Sequence, residues 1–174
     1  MSQEYRDLSG AVPRAIASAG VREQARTGGK RGDRPIGRQG ADLLAGVPLF
    51  AGVSKRHLRK LAEHADVATF HARERIVTQG QAGGTFYVIV EGEATVAQEG
   101  RTLGTLGPGD FFGEISLLDG GPRTADVIAV TPVSTIRVFK RTFDAMVSQE
   151  PKVAAQILAV VARRLRNAER SFSS

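Results

Sequence analysis

The chain has 174 residues, of which 41% are hydrophobic and 24% charged, and a net charge of +6. This length and composition predict one domain with a sizeable core. Cysteine is absent, which excludes disulfides, thiolate metal ligands and a cysteine nucleophile. No apolar run approaches the roughly 18 residues of a membrane helix, and the first thirty residues lack the apolar block of a secretory signal. We therefore expect a cytoplasmic protein without membrane contact.

Positive charge is concentrated at the N-terminus. Residues 1–40 contain eight Arg or Lys against four Asp or Glu, a net charge of +4, so the other 134 residues carry only +2. Many glycines and few apolar residues predict a disordered basic arm over 1–40, with a weak helix over 11–25. Such an Arg/Gly-rich arm can contact nucleic acid or another acidic partner through charge. A solvated tether is the favoured interpretation.

The ordered part is expected to begin at residue 41. Apolar residues of 43–50 lead to Ser54, a good N-cap for a helix that ends near His64. Short strands separated by glycine-rich turns follow, which indicates an antiparallel roll or barrel. These strands are predicted over 67–71, 75–78, 85–91, 93–98, 101–106, 123–130 and 134–139.

Two helices are predicted to close the chain, over 141–149 and 151–169. Pro151 suits the first turn of the second helix. Apolar residues recur there at helical spacing, which favours an amphipathic helix. They are Ala154, Ile157, Leu158, Val161 and Leu165.

The segment 112–127 contains the residues best suited to bind a ligand, an anion site and a hydroxyl acceptor. Gly113 allows a sharp turn, and the residues after it suffice for about one helical turn, whose first N–H groups attract an anion. Pro122 then leads into a strand where Arg123 shares a face with small and apolar residues, so its guanidinium calls for a carboxylate or phosphate. Glu114 is a pure acceptor when ionised and suits sugar hydroxyls. The alternative is a structural ion pair between Glu114 and Arg123.

The ordered string from Phe112-Gly113-Glu114 to Arg123-Thr124-Ala125 resembles the phosphate-binding cassette of the cyclic nucleotide-binding domain family. Residues 86–94 and 107–114 resemble the family's central hairpin and its approach to the cassette. The resemblance covers about 43–168. It implies an α+β, mainly β fold: an antiparallel, jelly-roll-like β-roll (a double-stranded β-helix), flanked by an N-terminal helix and C-terminal lid helices.

The resemblance also implies roles for individual residues. Arg123 would pair with the cyclic phosphate, backbone N–H groups around 115–117 and at Thr124 would complete the anion site, and Glu114 would hold the ribose 2′-hydroxyl. Asp126 departs from the small residue expected there, and strand alternation predicts that it points outward. The implied ligand-binding residues are Gly113, Glu114, Ile115, Ser116, Arg123 and Thr124. Of the arginines near the C-terminus, Arg163, Arg164, Arg166 and Arg170, most are expected in solvent, with the alternative that one of them or Asn167 contacts the purine.

The expected organisation is an arm (1–40), a cyclic nucleotide-binding domain (41–170) and a tail (171–174). We expect a stand-alone regulatory domain, without a helix-turn-helix output domain, that binds cAMP or cGMP and relays binding through its C-terminal helices to a partner or a second copy. We expect no metal or metal catalysis, because His57, His64 and His71 follow no ligand pattern. Nothing resembles a Ser, His and Asp set either, so we expect no enzymatic activity and no cofactor. The alternative is a ligand-independent adaptor whose arm contacts nucleic acid or an acidic partner.

Overall fold

The computed structural model describes residues 34–36 and 40–172. Two antiparallel sheets pack face to face, and helices cover one of them. The strands are β1 (Arg34–Pro35), β2 (Ala65–Phe70), β3 (Arg75–Val77), β4 (Thr85–Glu91), β5 (Ala94–Gln98), β6 (Arg101–Leu106), β7 (Phe111–Phe112), β8 (Asp126–Ala129) and β9 (Val133–Phe139). The helices are α1 (Gly40–Ala45), a 3-10 turn (Pro48–Phe50), α2 (Lys55–Glu63), α3 (Glu114–Asp119), α4 (Lys140–Gln149) and α5 (Pro151–Phe172).

Strand alternation divides the core into two layers. The first sheet has the order β1-β2-β9-β4-β7 and the second β3-β8-β5-β6. Along β4, Tyr87 and Ile89 face the second sheet, where they pack with residues such as Val127. Phe86 and Val88 face the other way and pack against the helices. Both faces of β4 are therefore buried, which explains its continuous apolar run. The antiparallel roll with flanking helices confirms the predicted fold class.

The element boundaries largely match the sequence pattern. Ser54 accepts a hydrogen bond from the His57 N–H at 3.3 Å and so caps α2 as predicted. The strand predicted from Arg123 begins only at Asp126. The reason is that the backbone of Arg123 bonds to the loop before β4, accepting from Gly80 N–H and donating to Gln81 O. The cassette arginine is thus fixed by a loop and not by the sheet ladder.

Residues 34–36 belong to the fold, although the sequence assigns them to the arm. Pro35 pairs with Asp66 across β1 and β2. Ile36 is 5% exposed and donates its N–H to Ala65 O at 3.4 Å. The folded part therefore starts before residue 41. The helix predicted over 11–25 and the remainder of the arm lie outside the described residues.

Helix α5 buries a narrower stripe than its apolar content suggests. Val153, Ile157 and Val160 are buried, whereas Leu158 and Leu165 are 64% and 59% exposed. Of the five apolar residues predicted to recur along this helix, only Ile157 is fully buried. Within the described residues, neither α5 nor any other helix combines the length and apolarity needed to cross a membrane.

Candidate functional site

A cavity of about 320 Å³ lies between the second sheet, α3 and the C-terminal half of α5. Its volume is at the lower end of the range of small-molecule sites. All six residues predicted to bind a ligand line this cavity: Gly113, Glu114, Ile115, Ser116, Arg123 and Thr124. Val161, Arg164 and Leu165 of α5 line its other side. The cassette thus forms one wall and the C-terminal helix another.

Gly113 is required by the backbone geometry of this wall. It has a φ of 89°, in the left-handed region, and immediately precedes α3. A Cβ atom at this position would lie 2.6 Å from both Arg123 Nη1 and Thr85 O. The turn and the close approach of Arg123 therefore both depend on glycine.

Arg123 is a buried cation at the cavity wall. Its side chain donates from Nη2 to Thr85 O at 2.8 Å and from Nη1 to Gly113 O at 3.2 Å. Burial lowers the pKa of Arg123 from its usual range, while Tyr87 and Glu114 act in the opposite direction. Arginine nevertheless remains protonated in proteins. Among the described residues, no carboxylate forms an ion pair with Arg123. Its hydrogen-bond acceptors are two neutral carbonyls, and Glu114 acts on it without forming an ion pair, which suits an anion in the cavity.

Glu114 is also buried, at 1% exposure, but its partner comes from α5. Arg164 Nη1 donates to Glu114 Oε1, and Arg164 Nη2 donates to Phe111 O at 2.7 Å. The guanidinium carbon lies 5.3 Å from the centre of the Phe111 ring. The alternative ion pair between Glu114 and Arg123 is therefore not formed. Of the four C-terminal arginines, Arg164 reaches the cassette.

Asp110 supports the turn before the cassette. Its carboxylate accepts from Gly107 N–H at 2.8 Å, and the residue is 6% exposed. Burial raises the pKa of Asp110, an effect opposed by the Gly107 hydrogen bond and by the positive charge of Arg164. The positive charge of Arg164 thus interacts with the carboxylates of both Asp110 and Glu114.

The side chains of Ser116, Thr124 and Asp126 differ in whether hydrogen bonds within the protein already engage them. Ser116 Oγ donates to Pro122 O at 3.1 Å, so its hydroxyl holds the loop between α3 and β8. Thr124 is exposed and has no such restraint. Asp126 accepts from Gln79 N–H at 2.7 Å, lies 3.6 Å from Arg75 and does not line the cavity. The prediction that Asp126 points outward is confirmed.

The sequence indicates only a turn at Gly83-Gly84, with no role in the cassette, and does not single out Arg164 among the C-terminal arginines. A Cβ atom on Gly83 would lie 2.6 Å from the Ser116 Cβ and 2.9 Å from Arg123 Nε, so this glycine makes room for the cassette. Its signal was the Gly83-Gly84 pair. Arg164 follows the buried Ile157 and Val160 by seven and four residues, which places it on the inward face of α5. That spacing distinguishes it from the neighbouring arginines.

Comparison with known proteins places this geometry in a family. Residues 67–150 match the family model described as cyclic nucleotide-binding domain. These residues belong to the cyclic nucleotide-binding domain family. The match includes β4, the whole cassette and α4, whereas α5, which lines the cavity, follows the matched residues.

Relatives share this domain at moderate identity. The CRP-like cAMP-activated global transcriptional regulator of Mycobacterium tuberculosis is 28% identical over 137 residues, which cover 76% of this chain and 61% of the relative. The crystal structure of Thermus thermophilus catabolite activator protein has a TM-score of 0.64 and 32% identity, covering 72% of this chain and 62% of that one. The regulatory domain of Toxoplasma gondii PKA with cAMP has a TM-score of 0.64 at 23% identity, covers 71% and 49%, and shows the fold alone. The chain spans between about a third and three fifths of the length of the curated relatives it matches.

Proposed function

We propose that this chain is a regulatory domain that binds cAMP or cGMP in the cassette cavity and signals through α5. The observation that carries the proposal is Arg123, a buried guanidinium at the cavity wall with no carboxylate partner among the described residues. A cyclic phosphate monoanion would supply the missing negative charge and accept the donors of Arg123 that the two carbonyls leave unused. The name of the Mycobacterium tuberculosis relative supports the ligand class, because that protein is a cAMP-activated regulator.

Glu114 is proposed to bind the ribose by accepting a hydrogen bond from its 2′-hydroxyl. It lines the same cavity as Arg123 and is an acceptor when ionised. A ribose 2′-hydroxyl that donates to this carboxylate would share it with Arg164 or replace Arg164 there. Because Arg164 belongs to α5, ligand binding and the position of α5 are coupled through one carboxylate. This coupling is the proposed origin of the relay.

The output surface is proposed to be the exposed side of α5. Leu158 and Leu165 are seven residues apart, lie on one face and are largely exposed. This face suits a second copy of the chain or a regulated protein. Because Leu165 also lines the cassette cavity, a shift of α5 would change both that cavity and the exposed face of the helix.

The adaptor alternative depends on the basic arm. Most of that arm, residues 1–33, lies outside the described structure. In the described part, the unpaired Arg123 favours a ligand-dependent function over an adaptor without a ligand. Nucleic-acid contact by the arm stays a prediction from its charge.

Calorimetric titration of cAMP and of cGMP into the full chain tests the proposal. We expect saturable binding of at least one of them with one site per chain. Amide exchange recorded in parallel should change in α5 as well as in 113–124. The absence of binding by both nucleotides would contradict the proposed ligand, whereas binding without a change in α5 would contradict only the relay.

A further inference from the structure

The short cassette helix α3 is held at both ends by cations from two different helices. At its first residue, Glu114 pairs with Arg164 of α5. In its last turn, Leu117 O accepts a hydrogen bond from Lys140 Nζ at 3.2 Å, and Lys140 is the first residue of α4. Within residues 34–36 and 40–172, this is the only hydrogen bond between α3 and α4. Each of the two C-terminal helices therefore contacts one end of α3.

The carbonyl that Lys140 contacts has no partner inside α3. The last four carbonyl groups of a helix lack intrahelical donors. Since α3 ends at Asp119, Ser116 O is the first of these four, and it accepts from Gly120 N–H at 3.1 Å. Leu117 O is the next, and it shares in the partial negative charge of the helix C-terminus. An ammonium group at this point satisfies the carbonyl and complements its charge.

The position of Lys140 is unfavourable for α4 itself. A cation at the first residue of a helix opposes the helix dipole, and the first turn of α4 contains no acidic residue. Lys140 pairs with Asp144 at 3.0 Å, but the lysine precedes the acid, which is the weaker order for a pair four residues apart. The contact with α3, and not the stability of α4, therefore accounts for a lysine here.

The backbone of Lys140 is bound to the loop that supports Arg123. The Lys140 N–H donates to Gly84 O at 3.1 Å. The carbonyl of the next residue, Thr85, accepts from Arg123 Nη2 at 2.8 Å. The start of α4 thus contacts the cassette twice, at the support of Arg123 through its backbone and at the end of α3 through its ammonium group.

We propose that Lys140 is a positioning residue that couples the cassette helix α3 to α4. A shift of α3 displaces Leu117 O, and the ammonium group that is bound to it transmits the shift to the first turn of α4. Asp144 limits the orientations of that ammonium group. The route does not use Arg164, so α4 and α5 respond through separate contacts. The coupling itself stands on these contacts, whereas its use as a nucleotide signal rests on the proposed function.

Amide exchange of the full chain without nucleotide tests the coupling. Lys140→Met keeps the stem of the side chain but removes the ammonium group, so exchange at Gly120 N–H should accelerate roughly two- to tenfold, as for the loss of one hydrogen bond. Lys140→Arg retains a cation and should restore slow exchange. Arg141→Met, which removes the exposed cation next to it, is the matched control and should change nothing. Unchanged exchange in Lys140→Met, or an equal acceleration in Arg141→Met, would overturn the coupling.

The same variants at saturating cAMP or cGMP test the use of this route in signalling. Lys140→Met should reduce the nucleotide-induced change in exchange over 144–149 by at least half and preserve the change in α5. A merely structural role would lower stability without separating the two helices in this way. An equal response of α4 in Lys140→Met and the unchanged chain would overturn the signalling route. Absent nucleotide binding would overturn that route together with the proposed function, and exchange at Gly120 would still decide the coupling.

Discussion

Arg164, in the C-terminal half of α5, donates a hydrogen bond to the buried carboxylate of Glu114, fifty residues earlier in the chain. The same guanidinium donates to Phe111 O at 2.7 Å and lies over the Phe111 ring. A helix outside the roll thus holds the residue to which the cassette resemblance assigns the ribose hydroxyl. A ligand can move α5 only by the difference in its affinity for the two positions of that helix. In the proposed relay, competition between the ligand and Arg164 for Glu114 would supply this difference.

Replacement of Arg164 by Ala should tighten nucleotide binding. The ligand would no longer have to compete for Glu114, and an ion pair of this kind contributes roughly 1 kcal/mol, or about fivefold in affinity. The amide-exchange response of α5 should be lost in the same variant. Calorimetry and hydrogen exchange measure the two effects.

Arg166→Ala is the matched control, since Arg166 is exposed on the same helix and does not line the cassette cavity. It should leave both affinity and exchange unchanged. Weaker binding by Arg164→Ala would show that Arg164 contacts the nucleotide instead of competing with it.

Replacement of Glu114 by Gln should weaken binding of the natural nucleotide more than binding of its 2′-deoxy analogue. The variant removes the charged acceptor and the analogue removes the hydroxyl donor of the same proposed hydrogen bond. Their effects on the binding free energy should therefore not add in a double-mutant cycle. The coupling is expected to be about 1 kcal/mol or more, since the acceptor is charged. If the variant weakens both ligands by the same factor, Glu114 acts through its pairing with Arg164 and not through the hydroxyl.

Replacement of Arg123 by Ala should weaken nucleotide binding by about 1.5 to 3 kcal/mol, roughly ten- to a hundredfold or somewhat more. The reason is that the variant removes the buried cation at the cavity wall. Arg101→Ala, which removes an exposed arginine outside the cavity, is the control and should bind normally. Calorimetry that gives the same affinity for Arg123→Ala and the unchanged chain would remove the phosphate assignment.

The sequence predicted the parts of the site that depend on local pattern. Gly113, the short helix after it and the alternation that turns Asp126 outward are all properties of a few adjacent residues. The partner of Glu114 is not, because an ion pair between residues 114 and 164 depends on how α5 packs against the roll. The start of β8 was misplaced for a similar reason, since Arg123 exchanges backbone hydrogen bonds with residues 80 and 81. Arg164 could have been singled out only through its helical spacing from Ile157 and Val160.

Replacement of Asp110 by Asn should stabilise the fold increasingly as the pH rises. Burial raises the folded-state pKa of Asp110 above the unfolded value, which is about 3.9 for an aspartate. The native state therefore holds this proton more tightly than the unfolded state, so Asp110 lowers stability as the pH rises from the unfolded to the folded pKa. Asparagine does not titrate and still accepts from Gly107 N–H. Urea unfolding over this pH range should show the difference between Asn and Asp growing and then levelling off, and a difference independent of pH would contradict the assignment.

Two changes at the N-terminus should have opposite outcomes, because the arm and the fold meet near residue 34. Composition predicts that residues 1–33 bury little, so their removal should change the free energy of unfolding by less than about 0.5 kcal/mol and leave nucleotide affinity unchanged.

Ile36 is 5% exposed and packs beside Gly40 and Ala62. Ile36→Ala in the full chain should therefore cost about 2 to 5 kcal/mol and lower Tm by roughly 5 to 15 °C. Calorimetric melting of the two variants measures both effects. A large loss of Tm on removal of 1–33 would show that the arm packs on the domain, and an unchanged Tm for Ile36→Ala would contradict the assignment of residues 34–36 to the fold.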